Sequence, residues 1–143
     1  MKNPALLLLA MMVPLVSCGE GAEGGGDLTS QISVFSDNSQ IVNVSPAKLQ
    51  AAITARDIRL IDVRSDAEVA GGIIPGAEHI PLDGFDPAAL DLSDGRGIVL
   101  YCEGGVRSAK AARKLAEFTG KPAKHLDGGI SAWKDAKLPV SER

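Results

Sequence analysis

Cys102 is the side chain of this sequence best suited to covalent chemistry, and its neighbours are the ones that such chemistry needs. Gly104 and Gly105 follow it, and a helical pattern begins at Val106. A glycine-rich loop lets several backbone N–H groups point at one atom, and a helix N-terminus adds positive potential. Both effects stabilise a thiolate, the nucleophilic form of cysteine. The pattern therefore predicts a nucleophile whose sulfur, or a persulfide formed on it, is held by amides. A lone cysteine ending a strand would more often be buried and inert.

The residues around Cys102 admit more than one role. Arg107 could bind an anionic substrate, or it could hold the loop through a carboxylate such as Asp62. Ser108 could cap the helix or donate a hydrogen bond to the sulfur. The carboxylate of Glu103 would oppose a thiolate and repel an anionic substrate by about 1–4 kcal/mol, unless it points into water. Asp62 and Arg64 are expected to fix the neighbouring loop rather than to react.

Alternating strands and helices are predicted to position this loop. The strand 97–101 is apolar after its glycine, which indicates burial on both faces, as in parallel sheets. The expected fold is an open α/β parallel sheet with helices on both faces, whose sites form at the carboxyl ends of strands. In the helix 106–119, Ala111, Leu115 and Phe118 are predicted to share the buried face. The other predicted strands are 41–44, 59–63, 77–82 and 123–128, and the other helices are 46–54, 66–70, 87–90 and 130–136.

Four further residues near these elements are expected to serve the fold. Gly128 and Gly129 are expected to permit a tight turn from a strand into a helix. Trp133 is expected in the core. His79 is interpreted as structural. His125 falls on a predicted strand, and the sequence indicates no partner for it.

Composition excludes several classes of function. The chain has 143 residues, which suggests one domain, and a formal net charge of −3. Nucleic acid is not an expected partner, because phosphate binding requires a basic face. Two cysteines and two histidines are too few for the usual four-ligand zinc site.

The N-terminus reads as a targeting segment. Lys2 precedes the apolar run 5–16, which is too short to span a bilayer and suits a signal peptide. The following LVSC, ending at Cys18, resembles the lipobox of bacterial lipoproteins. This resemblance implies cleavage before Cys18 and lipidation of that cysteine, which would anchor the chain to a membrane. Gly19 favours the outer membrane of the bacterial cell envelope, facing the periplasm. The alternative is an ordinary secretory signal in which Cys18 is incidental.

Three regions follow from these patterns. Residues 1–17 are predicted to be the lipoprotein signal peptide. Residues 18–40 are predicted to be the lipidated cysteine and a flexible tether, because five of the eight residues after Cys18 are glycine. Residues 41–143 are predicted to be the folded domain.

Three motifs in the folded part resemble those of the rhodanese-type sulfurtransferases. Residues 102–108, CEGGVRS, look like the active loop of that family. Residues 60–82 are similar to its Asp-Val-Arg and Ile-Pro-Gly-Ala segments, and residues 126–133 to its Gly-Gly-x-x-Ala-Trp ending. They occur in the family's order and cover about residues 41–139. The resemblance therefore implies a rhodanese-like fold.

The resemblance also implies a reaction. Cys102 would take a sulfane sulfur from thiosulfate or a thiol persulfide and pass it to cyanide or a thiol. The loop that would bind the sulfur consists of Glu103, Gly104, Gly105, Val106, Arg107 and Ser108. The family needs no metal and no organic cofactor. The acidic Glu103 predicts weak activity with thiosulfate or preference for another donor.

Two other functions compete with sulfur transfer. Related phosphatases and arsenate reductases carry five residues between cysteine and arginine, whereas four lie between Cys102 and Arg107, which is too tight a loop for a tetrahedral oxyanion. A membrane-tethered rhodanese-like module without turnover could instead dock a membrane or periplasmic protein, or carry sulfur. The intact Cys102 counts against a wholly inert module.

Overall fold

The computed structural model of the chain describes residues 40–142. These residues form a five-stranded parallel sheet of spatial order β1-β5-β4-β2-β3. The open parallel α/β sheet that the sequence predicts is confirmed. The strands are β1 (Ile41–Val44), β2 (Ile58–Asp62), β3 (Glu78–His79), β4 (Gly97–Tyr101) and β5 (Ala123–Leu126). The helices are α1 (Pro46–Ala55), α2 (Asp66–Val69), α3 (Val106–Thr119) and α4 (Gly129–Asp135), with short 3₁₀ turns at Leu82–Gly84 and Pro87–Ala89.

Helices cover both faces of the sheet. Successive strand residues point to opposite faces, and the apolar strands β2 and β4 therefore present apolar side chains on both. On one face, Leu60 and Val99 pack in a cluster with residues of α1, α2 and α4. On the other face, Ile61 and Leu100 pack against alanines and Leu115 of α3. The central strands β2 and β4 are thus buried on both sides. Their carboxyl ends meet at one edge of the sheet, where Cys102 follows β4.

The third strand is shorter than predicted. The sequence suggests a strand over 77–82, but only Glu78–His79 pair in the ladder. Pro81 has no N–H to donate to the ladder, so regular pairing stops there. The chain still runs beside β2, because Ile80 and Leu82 donate to the carbonyls of Asp62 and Val63 at 2.9 and 3.1 Å.

The buried face of α3 ends earlier along the helix than predicted. It consists of Ser108, Ala111, Ala112, Leu115 and Ala116. The expectation that Phe118 is buried is wrong, since its side chain is 56% exposed. Phe118 lies in the last turn of α3 and lines an open groove of about 470 Å³ rather than the core.

The predicted signal peptide, Cys18 and nearly all of the tether lie outside the described residues. Within residues 40–142, no helix combines the length and the apolar character needed to cross a bilayer.

Candidate active site

The loop after β4 wraps around the sulfur of Cys102. The residue is buried, with 1% of its surface exposed. The N–H of Gly105 donates a hydrogen bond to Cys102 Sγ over 3.1 Å. Gly105 is also the N-cap of α3 and has a φ of +99°, a conformation that favours glycine. The first N–H groups of a helix have no acceptor within the helix, so the start of α3 presents donors on this side of the loop.

The start of α4 holds the same loop from behind. The N–H groups of Ile130 and Ser131 donate to the carbonyls of Cys102 and Glu103 at 2.8 and 3.1 Å. Gly129 makes this approach possible, because a Cβ at that position would lie 2.4 Å from both carbonyl oxygens. The expected turn at Gly128 and Gly129 is present, and both have positive φ. Gly129 therefore serves a close contact with the active loop as well as a turn.

Arg107 is tied to the body of the domain by a carboxylate. Its guanidinium donates to both carboxylate oxygens of Glu68, with Nη1 2.7 Å from Oε2. The partner is Glu68 rather than Asp62, so that part of the expectation is wrong. Ser65 also donates to Glu68, through its backbone N–H and its hydroxyl, in a capping box at the start of α2. The hydrogen bonds from Arg107 and then Ser65 hold the pKa of Glu68 well below its usual range.

This pair predicts a specific pH dependence of stability. Because folding lowers the pKa of Glu68, the pair stabilises the fold above the unfolded-state pKa of about 4.3 and loses that contribution as the pH falls below it. Glu68→Gln is expected to lower the free energy of unfolding at about pH 7 by about 1 kcal/mol, because both side chains are about one third exposed. Urea unfolding measures this, and the difference from the parent should shrink below about pH 4.3. A difference that stays constant down to about pH 3 would contradict the assignment.

Asp62 and Arg64 form a buried ion pair beneath the loop. Nη2 of Arg64 lies 2.7 Å from Oδ2 of Asp62, and the Arg64 backbone N–H donates to Oδ1 at 2.9 Å. Arg64 also donates to the Gly72 carbonyl at 2.7 Å and packs over the ring of Tyr101, 5.8 Å from its centre. Most of the hydrogen bonds of this pair lie between the end of β2 and the turn after α2. The pair thus joins the end of β2, the residue before Cys102 and the turn after α2.

Glu103 does not point freely into water. Its Oε2 lies 3.3 Å from Nη1 of Arg64, and its Oε1 accepts a hydrogen bond from the Ser131 hydroxyl over 3.1 Å. The side chain is still 45% exposed. The carboxylate is therefore fixed at the surface of the site, with its charge partly balanced by Arg64.

Ser108 lies behind the loop and faces away from solvent. Its hydroxyl is 3.0 Å from the Gly105 carbonyl oxygen and 3.1 Å from Nδ1 of His125. The other ring nitrogen of His125 lies 2.8 Å from Oδ1 of Asn43. The sequence did not indicate these partners of His125, because the contacts join residues that are 17 and 82 positions apart.

A cleft of about 230 Å³ lies beside the loop. Arg107 of the loop and Val63, which follows β2, line it. Asp66 and Asp83, which the sequence did not single out, add carboxylates to its wall. The remaining lining residues are Ser65, Pro81 and Leu82. The cleft offers space for a small molecule next to the active loop.

Two other expectations are met in the core. Trp133 is buried and donates its Nε1–H to the Pro139 carbonyl at 2.8 Å. His79 has its Nε2 2.8 Å from the Arg64 carbonyl oxygen. Both side chains thus make contacts within the fold.

The sequence matches the family model of the rhodanese-like domain over residues 45–136. The chain belongs to the rhodanese-like family. A sulfurtransferase from Allochromatium vinosum is 33% identical over 91 residues, covering 64% of this chain and 85% of the relative. The family and this relative support a sulfurtransferase at the level of the family. The chain spans about half the length of two other curated relatives, 55% and 44%, each 36% identical to it.

Solved structures are similar to this chain. A rhodanese-like domain protein from Staphylococcus aureus is 30% identical with a TM-score of 0.60, covering 71% of this chain and 97% of that protein. A Rhodopseudomonas palustris protein of unknown function, described as a possible tyrosine phosphatase, is 34% identical with a TM-score of 0.62, covering 73% of this chain and 87% of that one. The rhodanese-like fold predicted from the three motifs is confirmed.

Proposed function

We propose that this chain transfers sulfane sulfur through a persulfide on Cys102. The observation that carries the proposal is the N–H of Gly105, which donates to the Cys102 sulfur where β4 ends and α3 begins. A hydrogen-bond donor and a helix N-terminus at the same sulfur stabilise negative charge that develops there during the transfer and on the persulfide. Preorganised donors of this kind stabilise charge without rearranging during the reaction.

The reaction has two displacement steps. The Cys102 thiolate attacks the outer sulfur of a donor R–S–SH, a new S–S bond forms on Cys102, and the bond to R–S breaks so that R–S⁻ leaves. A nucleophilic acceptor, a thiol or cyanide, then attacks the outer sulfur of the Cys102 persulfide and regenerates the thiolate. With thiosulfate as the donor, sulfite is the leaving group. Neither step needs an oxidant or a reductant. Cys102 is the nucleophile that carries the sulfur from the donor to the acceptor.

A thiol persulfide is the proposed donor, in preference to thiosulfate. The two arginines beside the loop are already paired, Arg107 with Glu68 and Arg64 with Asp62 and Glu103. Neither therefore offers an uncompensated charge to a dianion. The cleft wall adds Asp66 and Asp83, whose charges repel an anion further.

Glu103→Gln is expected to raise kcat/KM with thiosulfate about fivefold. The substitution removes one negative charge and leaves Arg64 with a single carboxylate partner, a change of about 1 kcal/mol at this partly exposed site. The rate with a thiol persulfide should rise only about twofold, because its reacting sulfurs carry at most one negative charge whereas thiosulfate carries two. The measurement is thiocyanate formation with cyanide as the acceptor.

The matched control for this prediction is Glu117→Gln, the same change at an exposed glutamate of α3. It should leave both rates unchanged. If Glu103→Gln does not raise thiosulfate turnover, repulsion by Glu103 does not set the donor preference.

The same assay, run on the parent chain, tests the function itself. Thiocyanate should form from a thiol persulfide and cyanide, and more slowly from thiosulfate at equal concentration. A chain that forms thiocyanate from neither donor would refute the proposal.

The second candidate is a docking or sulfur-carrying module without turnover. The low exposure of Cys102 favours it, because 1% leaves a donor little access to the sulfur. A carrier would accept sulfur once but would not release it to small thiols or cyanide. Single-turnover labelling followed by cyanide separates the two functions.

We also propose that the chain is lipid-anchored through Cys18, at the outer membrane and facing the periplasm. The support is the LVSC motif after a short apolar run. Cys18→Ser, expressed in a Gram-negative host, is expected to move the chain from the membrane fraction to the soluble fraction. Equal membrane association of parent and variant, or an uncleaved N-terminus in the parent by mass spectrometry, would contradict lipidation.

A further inference from the structure

A chain of hydrogen bonds runs from the edge strand of the sheet to the back of the active loop. It begins at Asn43 in β1, whose Oδ1 lies 2.8 Å from Nε2 of His125 in β5. Nδ1 of His125 lies 3.1 Å from the Ser108 hydroxyl, which is 3.0 Å from the Gly105 carbonyl oxygen. Gly105 donates its N–H to the sulfur of Cys102. The chemistry proposed above assigns no step to Asn43 or His125.

These three contacts share two hydrogens when His125 is neutral. Burial lowers the pKa of His125, so the neutral ring with a single N–H prevails at neutral pH. Ser108 supplies one O–H. The contacts of His125 with Asn43, of His125 with Ser108 and of Ser108 with Gly105 each need one hydrogen. While the Asn43 oxygen faces Nε2, one contact must therefore give way, and all three form only when the Asn43 amide turns and supplies a hydrogen of its own.

Two arrangements of these hydrogens are available. With the hydrogen on Nε2, His125 donates to Asn43, so that Ser108 donates to Nδ1 and not to Gly105. With the hydrogen on Nδ1, His125 donates to Ser108, and Ser108 donates to the Gly105 carbonyl. The exposed amide of Asn43 then turns to offer its NH₂ group to Nε2.

The hydrogen bond from Ser108 to the Gly105 carbonyl affects the sulfur of Cys102 through the backbone of Gly105. Its oxygen also accepts the N–H of Ala109 at 3.0 Å. The carbonyl shares its peptide with the N–H of Val106, and a bond accepted at the oxygen strengthens that N–H as a donor. It also fixes Gly105, whose own N–H contacts Cys102.

We propose that Asn43, His125 and Ser108 position the active loop: the location of the hydrogen on His125 decides whether Ser108 donates to the Gly105 carbonyl, and so how firmly Gly105 is held beside Cys102. Ser108 and His125 are positioning residues, because they act through Gly105. The inference rests on the nucleophilic role of Cys102 in the proposed function.

Protonation of His125 adds the missing hydrogen. Both ring nitrogens then donate, to Asn43 and to Ser108, and Ser108 is free to donate to Gly105. Asp127, in the turn after β5, is the charged group whose field favours the protonated ring, against the effect of burial. β1 and α3 face the ring with the neutral groups of Asn43 and Ser108. Lower pH therefore favours the firmly held loop.

The test measures alkylation of Cys102 by iodoacetamide from about pH 6 to about pH 9, a range that spans the usual pKa values of His and Cys. It uses the full chain carrying Cys18→Ser, which leaves Cys102 as the only thiol. Ser108→Ala is expected to slow alkylation about fivefold near neutral pH and to move the midpoint of its pH profile upward. Ser108→Thr, which keeps the hydroxyl, should restore the rate to within about twofold.

Asn43→Asp tests the far end of the chain of bonds. The carboxylate can only accept, so the hydrogen of neutral His125 stays on Nε2 and Ser108 is drawn away from Gly105. Alkylation should slow about threefold at about pH 8 and return towards the parent rate as the pH falls towards about 6, because the new carboxylate beside Nε2 favours the protonated ring of His125. Adding His125→Gln should abolish that return.

Thr119→Ala is the matched control. It removes a hydroxyl that donates to the Leu115 carbonyl over 2.9 Å at the other end of α3. It should leave the profile unchanged. Parent-like profiles for both Ser108→Ala and Asn43→Asp, or an equal loss in Thr119→Ala, would overturn the proposal. Alkylation requires no sulfur transfer, so a chain that takes up no sulfur but shows these profiles would refute the proposed function alone.

Discussion

Cys102→Ser is expected to abolish sulfur transfer, with turnover at least about 10³-fold below that of the parent. A serine hydroxyl is not ionised near neutral pH and cannot form a persulfide, so no residual route through the loop remains. The fold should survive, because the hydroxyl is of similar size and can accept the Gly105 N–H that now meets the sulfur. Thiocyanate formation measures the activity, and urea unfolding measures the stability.

The chain offers its own control for this substitution. Cys18→Ser is the same change at the other cysteine of the sequence, far along the chain from the loop. It should keep the parent turnover in the purified chain. Turnover above about 1% of the parent in a folded Cys102→Ser chain would show that another group carries the sulfur.

The second large effect is expected for Gly129→Ala. An added Cβ would lie 2.4 Å from the carbonyl oxygens of both Cys102 and Glu103, a distance that the backbone must relieve by moving. Moving it weakens the bonds that Ile130 and Ser131 donate to these carbonyls. Gly129 also has a φ of +60°, which disfavours alanine by about 1 kcal/mol.

The expected result is a loss of about 3 kcal/mol in the free energy of unfolding and at least a tenfold loss of sulfur transfer. Gly84→Ala is the matched control, because no atom lies within 4 Å of its added Cβ and its φ is ordinary. If Gly129→Ala does not fold at ambient temperature, the predicted loss of stability is met. The effect on the active loop can then be measured at a lower temperature as the rate of Cys102 alkylation. A stable, fully active Gly129→Ala chain would show that α4 does not hold the loop.

Much of the fold follows from local patterns in the sequence. β1, β4 and α3 have the predicted bounds, because each combines a clear periodicity with a proline, glycine or charged boundary. β3 could not be predicted as well, since the length of an edge strand depends on its neighbour and on Pro81. The exposure of Phe118 depends on where the sheet ends beneath α3, which helical periodicity does not contain.

The centre of the candidate site and its supports at Asp62, Arg64 and Gly129 could be predicted, whereas the long-range partners of Arg107 and Ser108 could not. The glycines and the helix start around Cys102 are adjacent in sequence, so their joint effect on the sulfur can be read directly. Glu68 as the partner of Arg107 lies 39 positions away. His125 reaches Ser108 because β5 pairs with β4, next to the start of α3. Contacts of this kind arise from strand order and register, and a single sequence does not specify them.

The most direct test of the account is the intact mass of the chain after incubation with a thiol persulfide, followed by cyanide. A persulfide mechanism predicts a gain of one sulfur atom, located on the peptide that contains Cys102, and its complete removal by cyanide with formation of thiocyanate. No gain from a persulfide or from thiosulfate, in a folded chain whose Cys102 still reacts with iodoacetamide, would contradict a persulfide mechanism.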